Sequence, residues 1–397
     1  MSLSGAIFIG VSGMDAYTQG LQTISNNVAN LNTAGYKETT TNFSDLFNAG
    51  GNEPDFAGGD GGQAEGNGVR FAQSQLDFSQ GTLQQTSGNL DLAIQGNGFL
   101  FLLNGGKTVY ARTGSFAVDS KGFISEQGTQ FQLGILNASN QPTALNVSNL
   151  QTNPAVATTS VTFNDNLSSS ATSDTVSGIN VFDASGAQHS WQVALAPVTG
   201  TPGQWTATVT DETGATIGTG TLTFNGSTID PTTAKLTVKT TPAGASALSV
   251  VLDFSGVSSF SSGPTSTLQV GQIDGNAAGS LTGVTLTSTG QIQLNYSNSQ
   301  TKTEGSVALA NFLDAQQLQE ASNGTFENPS NVPAQILPSG QGGAGTLVSQ
   351  QLEQSNVNLT QQFGDLILIQ RGFQASSQVV SVANDMIQEL FGIRGQG

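Results

Sequence analysis

Residues able to do chemistry are few in this 397-residue chain, and they are scattered. Its one histidine, His189, stands between a turn at Gly186 and Trp191 on an alternating stretch. An imidazole can act as a general base, but it needs a nucleophile or a metal to act on. The chain has no cysteine, and no serine stands in the Gly-x-Ser-x-Gly strand–elbow–helix setting. His189 therefore reads as structural or solvated. Asp211-Glu212 could supply the acid and base of glycoside hydrolysis, but before Thr213-Gly214 they read as solvated turn residues. Gly96-Asn97-Gly98 lacks the third glycine and the following helix of a dinucleotide loop. It reads as a tight hairpin turn before Phe99–Leu103. The acidic glycine-rich stretch around 53–65 lacks the Asp-x-Asp-x-Asp-Gly spacing of a calcium loop. Trp191 and Trp205 read as core. No catalytic, cofactor-binding or metal-ligating residue is assigned, no cofactor is expected, and the chain does not read as an enzyme.

Composition narrows the class further. With 27 acidic and 10 basic side chains the net charge is -17, and only 9% of residues are charged, against about 25% in an ordinary soluble protein. Without cysteine there is no disulfide scaffold, zinc-thiolate site or iron–sulfur cluster. The acidic balance excludes a nucleic-acid partner, since nothing could neutralise a row of phosphates. No apolar run approaches the length of a membrane span. The first basic residue is Lys37, so a cleavable secretory signal with its positive n-region is not expected. Polarity comes from Ser, Thr, Asn, Gln and Gly, which suits a protein lying against many neighbours.

The ends carry the pattern that must position everything else. Leu3, Ile7, Gly10, Met14, Tyr17, Leu21, Ile24, Val28 and Leu31 step by fours and threes, apolar except at Gly10. That is a hydrophobic heptad seam. At the other end Leu352, Leu359, Leu366, Phe373, Val380 and Ile387 lie seven apart. Phe363 and Phe391 open and close the interleaved position, with Gln370, Ser377 and Asn384 between. Asn358 and Gln361 resemble an N-cap with its reciprocal glutamine. The spacing predicts a helix from about 358 to 391, ending near Gly392 and Gly395. The run Leu366–Ile369 makes it apolar on more than one side, so it needs several packing partners.

Between the ends the chain reads as β. The expected organisation is an N-terminal core helix over 1–36 that pairs with 354–397, then a Gly-rich linker over 37–70. A discontinuous β domain of 71–147 plus 265–345 encloses an inserted outer β domain at 148–264. A linker and the C-terminal core helix fill 346–397. The fold class is mainly β with terminal α-helices, paired as a coiled-coil-like stalk with nested β domains between them. In the inserted domain Ile179, Val181, Trp191, Val193, Leu195, Trp205, Val209, Leu222, Phe224, Leu236 and Val238 supply inward faces. Asp183–Gly186 and Asp211–Gly214 supply turns, and the spacing suggests a sandwich or flattened barrel.

Several segments resemble the flagellar axial proteins, the family of rod and hook subunits. The stretch Ser25–Lys37 is similar to the family signature S-N-N-I-A-N-x-x-T-x-G-[FY]-K, matching at Asn26, Asn27, Ala29, Asn30, Thr33, Gly35 and Tyr36. Glu353–Leu359, Gln370–Ala375, Leu90–Phe99 and Arg112–Phe116 are further family-like segments. Rod proteins share these ends. Val181–Ser190 and Tyr296–Thr301, with Ser299 in place of a glycine, resemble the hook branch, as do the length and the large central domain. The resemblance implies a subunit of a curved hollow tube, the hook, that joins rod to filament as a universal joint. It implies a helical homopolymer as the partner, with the flagellar rod, the hook cap, the hook–filament junction proteins and the flagellar type III export apparatus. It places the protein in the extracellular hook and basal-body region, with no nucleic acid and no membrane insertion. Phe43 and Phe47 match the family's export-gate pattern, Phe-x-x-x-hydrophobic, and equally a hydrophobic staple pinning the linker. A distal rod subunit and a secreted β-rich adhesin or carbohydrate-active protein are the alternatives.

Physics adds one expectation. In a homopolymer every surface charge meets its own kind, which near-neutral terminal helices avoid. Leu21, Ile24, Val28 and Leu31 are expected to pack against Leu359, Leu366, Phe373, Val380 and Ile387, and with Phe363 these form the expected polymerisation core.

Overall fold

Two long helices bracket described residues that are otherwise strands, loops and three short 3-10 helices. In the computed structural model, which describes residues 3–46, 68–72, 74–242 and 244–394, α1 spans Leu3–Ala29 and α2 spans Leu359–Arg394. The chain divides into two compact units. The first comprises Met1–Val147, Val284–Gln293 and Thr303–Gly397, the second Ser148–Gly283 and Leu294–Lys302. The second unit thus runs past residue 264, where the inserted domain was expected to end. No helix among the described residues is long and apolar enough to cross a membrane.

In the first unit α1 and α2 run antiparallel, and glycine makes their contact close. A Cβ at Gly10 would come within 2.6 Å of Val380, and one at Gly13 within 2.5 Å of Ser376. At Gly20 it would meet Ile369 at 2.8 Å, and at Gly372 the Tyr17 ring. A glycine inside a helix costs about 1 kcal/mol relative to alanine, so these positions are explained by packing rather than propensity. The α1 seam ends earlier than expected. Leu31 lies beyond the helix, because Thr33 N–H bonds Asn30 O and Gly35 turns with φ +74°.

The seam on α2 also differs from expectation. The expected interleaved residues Phe363 and Phe391 are exposed, at 50% and 67%. The positions turned toward α1 are one residue earlier: Gln362, Ile369, Ser376 and Ala383. Small residues there admit the close approach, where Phe would hold the axes apart. Leu352 lies in a strand, Gln351–Glu353, which pairs with Leu83–Gln85. Asn358 caps α2 through bonds from Thr360 N (3.1 Å) and Gln361 N (3.3 Å). The reciprocal partner is not Gln361: Asn358 N–H donates to Glu38 at 3.2 Å.

The expected linker begins with structure. Thr39–Thr40 pairs with Gln75–Leu76, and Phe43–Asp45 with Val69–Phe71. Most of the glycine-rich remainder, with Phe47 and the 53–65 stretch, lies outside the described residues. Behind these pairs a β core closes on an aromatic cluster of Phe99, Phe101, Tyr110, Phe312 and Phe326. Their rings meet edge-on, 4.8–5.8 Å apart. Gly96–Gly98 is not a hairpin turn. Asp91–Gln95 pairs with Thr113–Val118 and Thr346–Ser349, while Phe99–Asn104 pairs with Lys107–Ala111.

The second unit holds a nine-stranded sheet. Ser160–Asn166 runs parallel to Leu248–Ser258 and antiparallel to Gln269–Ile273. The residues expected to face inward do so, with Leu236 only partly buried, and Phe163 stacks on Phe254 at 4.4 Å. Asp183 and Asp211 head four-residue turns by one mechanism. Each Oδ1 accepts the backbone N–H groups two and four residues on (2.8 to 2.9 Å), and a glycine closes the turn at φ +86° or +83°.

Candidate functional site

At the root of the helix pair, one polar knot holds α1, α2 and the β core together. Its centre is Asn27, buried on the last turns of α1. Asn27 Oδ1 accepts from Tyr36 Oη and Thr39 N, both at 3.0 Å. Its amide donates to Thr39 O (2.9 Å) and to Gln362 Oε1 on α2 (3.0 Å). Both lone pairs and both N–H groups are therefore used, which is what makes a buried amide tolerable. Gln362 passes the chain on to Glu38 at 2.9 Å, and Glu38 N–H donates to Asn356 at 2.7 Å. The Tyr36 hydroxyl is pushed up to about 12, mainly by burial, with the charges of Glu320 and Glu38 adding to it.

Beside this knot lies an ion cluster sealed from water. Glu353 Oε1 accepts from Lys37 Nζ (2.7 Å) and from Gly81 N (2.8 Å), and Oε2 from Arg112 Nε (3.2 Å). All three charged side chains are essentially fully buried. Burial lowers Lys37 and Arg112 from their ordinary values, and the Glu353 charge opposes that in both. The Arg112 guanidinium also donates to the carbonyls of Gly96 and Gly98 and lies over the Phe99 ring at 5.6 Å. The Gly96–Gly98 loop thus holds a guanidinium through its carbonyls. Removing one member of such a cluster costs about 3–5 kcal/mol, since a buried charge is left uncompensated.

The motif residues divide between two roles. Asn27, Gly35 and Tyr36 are inside the knot: Gly35 N–H donates to Glu353 O at 2.8 Å. Asn30 donates to Asn26 and accepts from Thr33, both locally, while Ala29 is exposed. Lys37, Glu38, Arg112, Glu353 and Gln362 were not singled out as site residues. The available signal was scarcity: in a chain with so few charges, Lys37, Arg112 and Glu353 all fall in family-like segments.

The outer surface of the helices carries exposed apolar residues among polar ones. Of the expected polymerisation core, Ile24 is buried, and Val28, Leu31, Leu366, Val380 and Ile387 are half-buried. Leu21, Leu359, Phe363 and Phe373 remain exposed. A second set of apolar residues on α2, Leu368, Val379, Val382, Met386 and Leu390, is 44–67% exposed. Between the helices Tyr17, Leu21, Ile369 and Phe373 line an apolar groove. Phe43 packs against Tyr17 and Phe71, with ring centroids 5.4 and 5.9 Å away. No group of three metal-ligating side chains occurs among the described residues.

Comparison with known proteins matches both ends to family models. Residues 7–37 match the flagella basal body rod protein model, and 348–393 the C-terminal model of the flagellar basal body rod FlgEFG proteins. Over nearly its whole length the chain is 29% identical to the flagellar hook protein FlgE of Treponema pallidum, covering 98% of this chain and 99% of that one. It is 30% identical to FlgE of Rhizobium meliloti, covering 99% and 100%. A crystal structure of the Helicobacter pylori flagellar hook protein FlgE2 aligns with 68% of this chain and 99% of that chain, at TM-score 0.46 and 11% identity.

Proposed function

The chain belongs to the flagellar hook protein family, and we propose that it is the structural subunit of the bacterial flagellar hook. It polymerises into a curved hollow tube that acts as a universal joint between rod and filament. The observation that carries this reading is the exposed apolar stripe of α2, with Phe8 and Val11 exposed on α1. Apolar surface of this kind on a single chain marks an interaction site, and in a homopolymer the partner is another copy. A contact that does not close on itself generates a helical assembly. The near-neutral helices let copies meet without like-charge repulsion.

The finer points are part of the same reading. The helix pair forms a coiled-coil-like stalk, supported by the antiparallel small-residue contact, and the β domains are nested between its arms. Rod, hook cap, hook–filament junction proteins and the type III export apparatus are its partners, supported by the family resemblance. Phe43 acts in packing, supported by its contacts with Tyr17 and Phe71. The rod models match only the two ends, whereas hook proteins align end to end, which favours hook over distal rod.

Electron microscopy of the purified protein under salting-out conditions tests the proposal. Curved tubes are expected. Straight rods would move the assignment to the rod, and soluble monomers at all concentrations would overturn it.

A further inference from the structure

The only histidine of the chain sits between two carboxylates that belong to different turns of the second unit. His189 Nδ1 lies 3.1 Å from Glu212 Oε1, and Nε2 lies 3.5 Å from Asp183 Oδ2. Asp183 is 1% exposed, and its Oδ1 is already taken by Ser185 and Ala187. Its Oδ2 and the facing His189 Nε2 are both buried and have no other hydrogen-bond partner. A neutral imidazole has one N–H and can serve one carboxylate, leaving a lone pair turned at the other. A metal ion between Nε2 and Oδ2 would have two protein ligands and no open face for water. The protonated ring has a donor for each side.

We propose that His189 is a proton-operated clasp that ties the 183–186 turn to the 211–214 turn when the ring carries both protons. Asp183 reaches the ring from the turn after Asp174–Phe182. Glu212 reaches it from the turn after Gln204–Thr210. Asp211, adjacent to Glu212, is turned into its own loop and accepts from Thr213 and Ala215. The Asp183 carboxyl is held down at about 2, chiefly by the Ser185 hydroxyl, with the Ser185 and Ala187 N–H groups and His189 contributing. It therefore stays an anion throughout the range in which histidine changes charge. Glu212 is the releasable arm, since its side chain is 46% exposed. When the ring loses a proton it can serve only one of the two carboxylates, and keeping its N–H for the buried, anionic Asp183 frees the 211–214 turn.

Because His189 is the only histidine, an imidazole 15N spectrum of the full chain reports this residue alone. Recorded from pH 8 to pH 5, it follows the protonation of both ring nitrogens. The backbone amides of Thr213 and Gly214 should move with the same midpoint. In Glu212→Gln, an exposed substitution that leaves the fold intact, the Thr213 and Gly214 response should be lost. In His189→Gln those amides should be independent of pH over the same range. A wild-type ring that titrates without movement of either turn would overturn the proposal, as would one holding a single proton across the range.

Discussion

The inserted unit and the helix pair are built inside out with respect to one another. The inserted unit buries Trp191, Trp205, Phe163, Phe254 and Leu252 and presents Ser, Thr and Asn to water. The helix root buries Lys37, Glu38, Arg112, Glu353, Asn27 and Gln362, while Leu368, Met386, Leu390 and Phe391 stand in solvent. Apolar burial near 25 cal/mol per Å2 is what holds a unit together alone. The first arrangement is complete within one chain. The second leaves apolar surface open, which the proposed polymer would cover with further copies, and its internal contacts serve to fix register. A buried ion cluster adds little net stability over an apolar one of the same shape, but it punishes any wrong partner.

Five experiments break or sharpen that contrast. Glu353→Gln should have the largest effect, about 3–5 kcal/mol, because Lys37 and Arg112 stay buried without their counter-charge. It should appear in urea unfolding of the helices followed by far-UV circular dichroism. Tryptophan fluorescence should be unmoved, because both tryptophans belong to the second unit. Leu252→Ala is the mirror image: it should cost about 2–5 kcal/mol through the cavity it leaves, visible in fluorescence and absent from the helix signal. Equal loss in both signals for either variant would mean that the two units do not unfold separately.

Leu368→Ser probes the outer stripe. It should leave monomer stability within about 0.5 kcal/mol and withhold about 1.5–3 kcal/mol from each copy in the polymer. The critical concentration, measured by sedimentation, should rise about tenfold or more. Polymerisation at the wild-type concentration would remove the stripe from the interface. Asn358→Ala should cost about 1 kcal/mol by uncapping α2, again in the helix signal alone.

The smallest effect is acid. Hydrogen bonds hold Asp183, Asp211 and Asp230 below the ordinary carboxylate value. A depressed carboxyl contributes stability that is present above its unfolded value and lost as pH falls through the folded one. For Asp183 that window runs from 3.8 down to about 2. Burial raises Glu126 and Glu320 in the first unit and Asp174 in the second, so their contribution is full below the unfolded value and is lost as pH rises through the folded one. Asp119 in the first unit follows the depressed pattern. Between pH 4 and pH 2 the urea midpoint read by tryptophan should therefore fall further than the one read by helicity.

What was legible in the sequence follows the same division. Strand alternation at Trp191, Val193 and Leu195 and the Asp-x-x-Gly turns were readable, because a period of two and an Asx turn are each fixed within a few residues. The terminal helices were readable for the same reason. The choice of seam was not. On α2 both Phe363–Gln370–Ser377 and Gln362–Ile369–Ser376 interleave with Leu366, Phe373 and Val380 at heptad spacing, and hydrophobicity favours neither clearly.

By itself, then, the sequence determined the local periods, the turns and the near-neutral ends. Only the tertiary structure decided which face of α2 meets α1, because that depends on where Gly10, Gly13 and Gly20 let two backbones approach. Only it joined Lys37 to Glu353 across 316 residues and Arg112 to Glu353 across 241. A buried charge has to find its partner in space, and its sequence neighbours do not encode that distance.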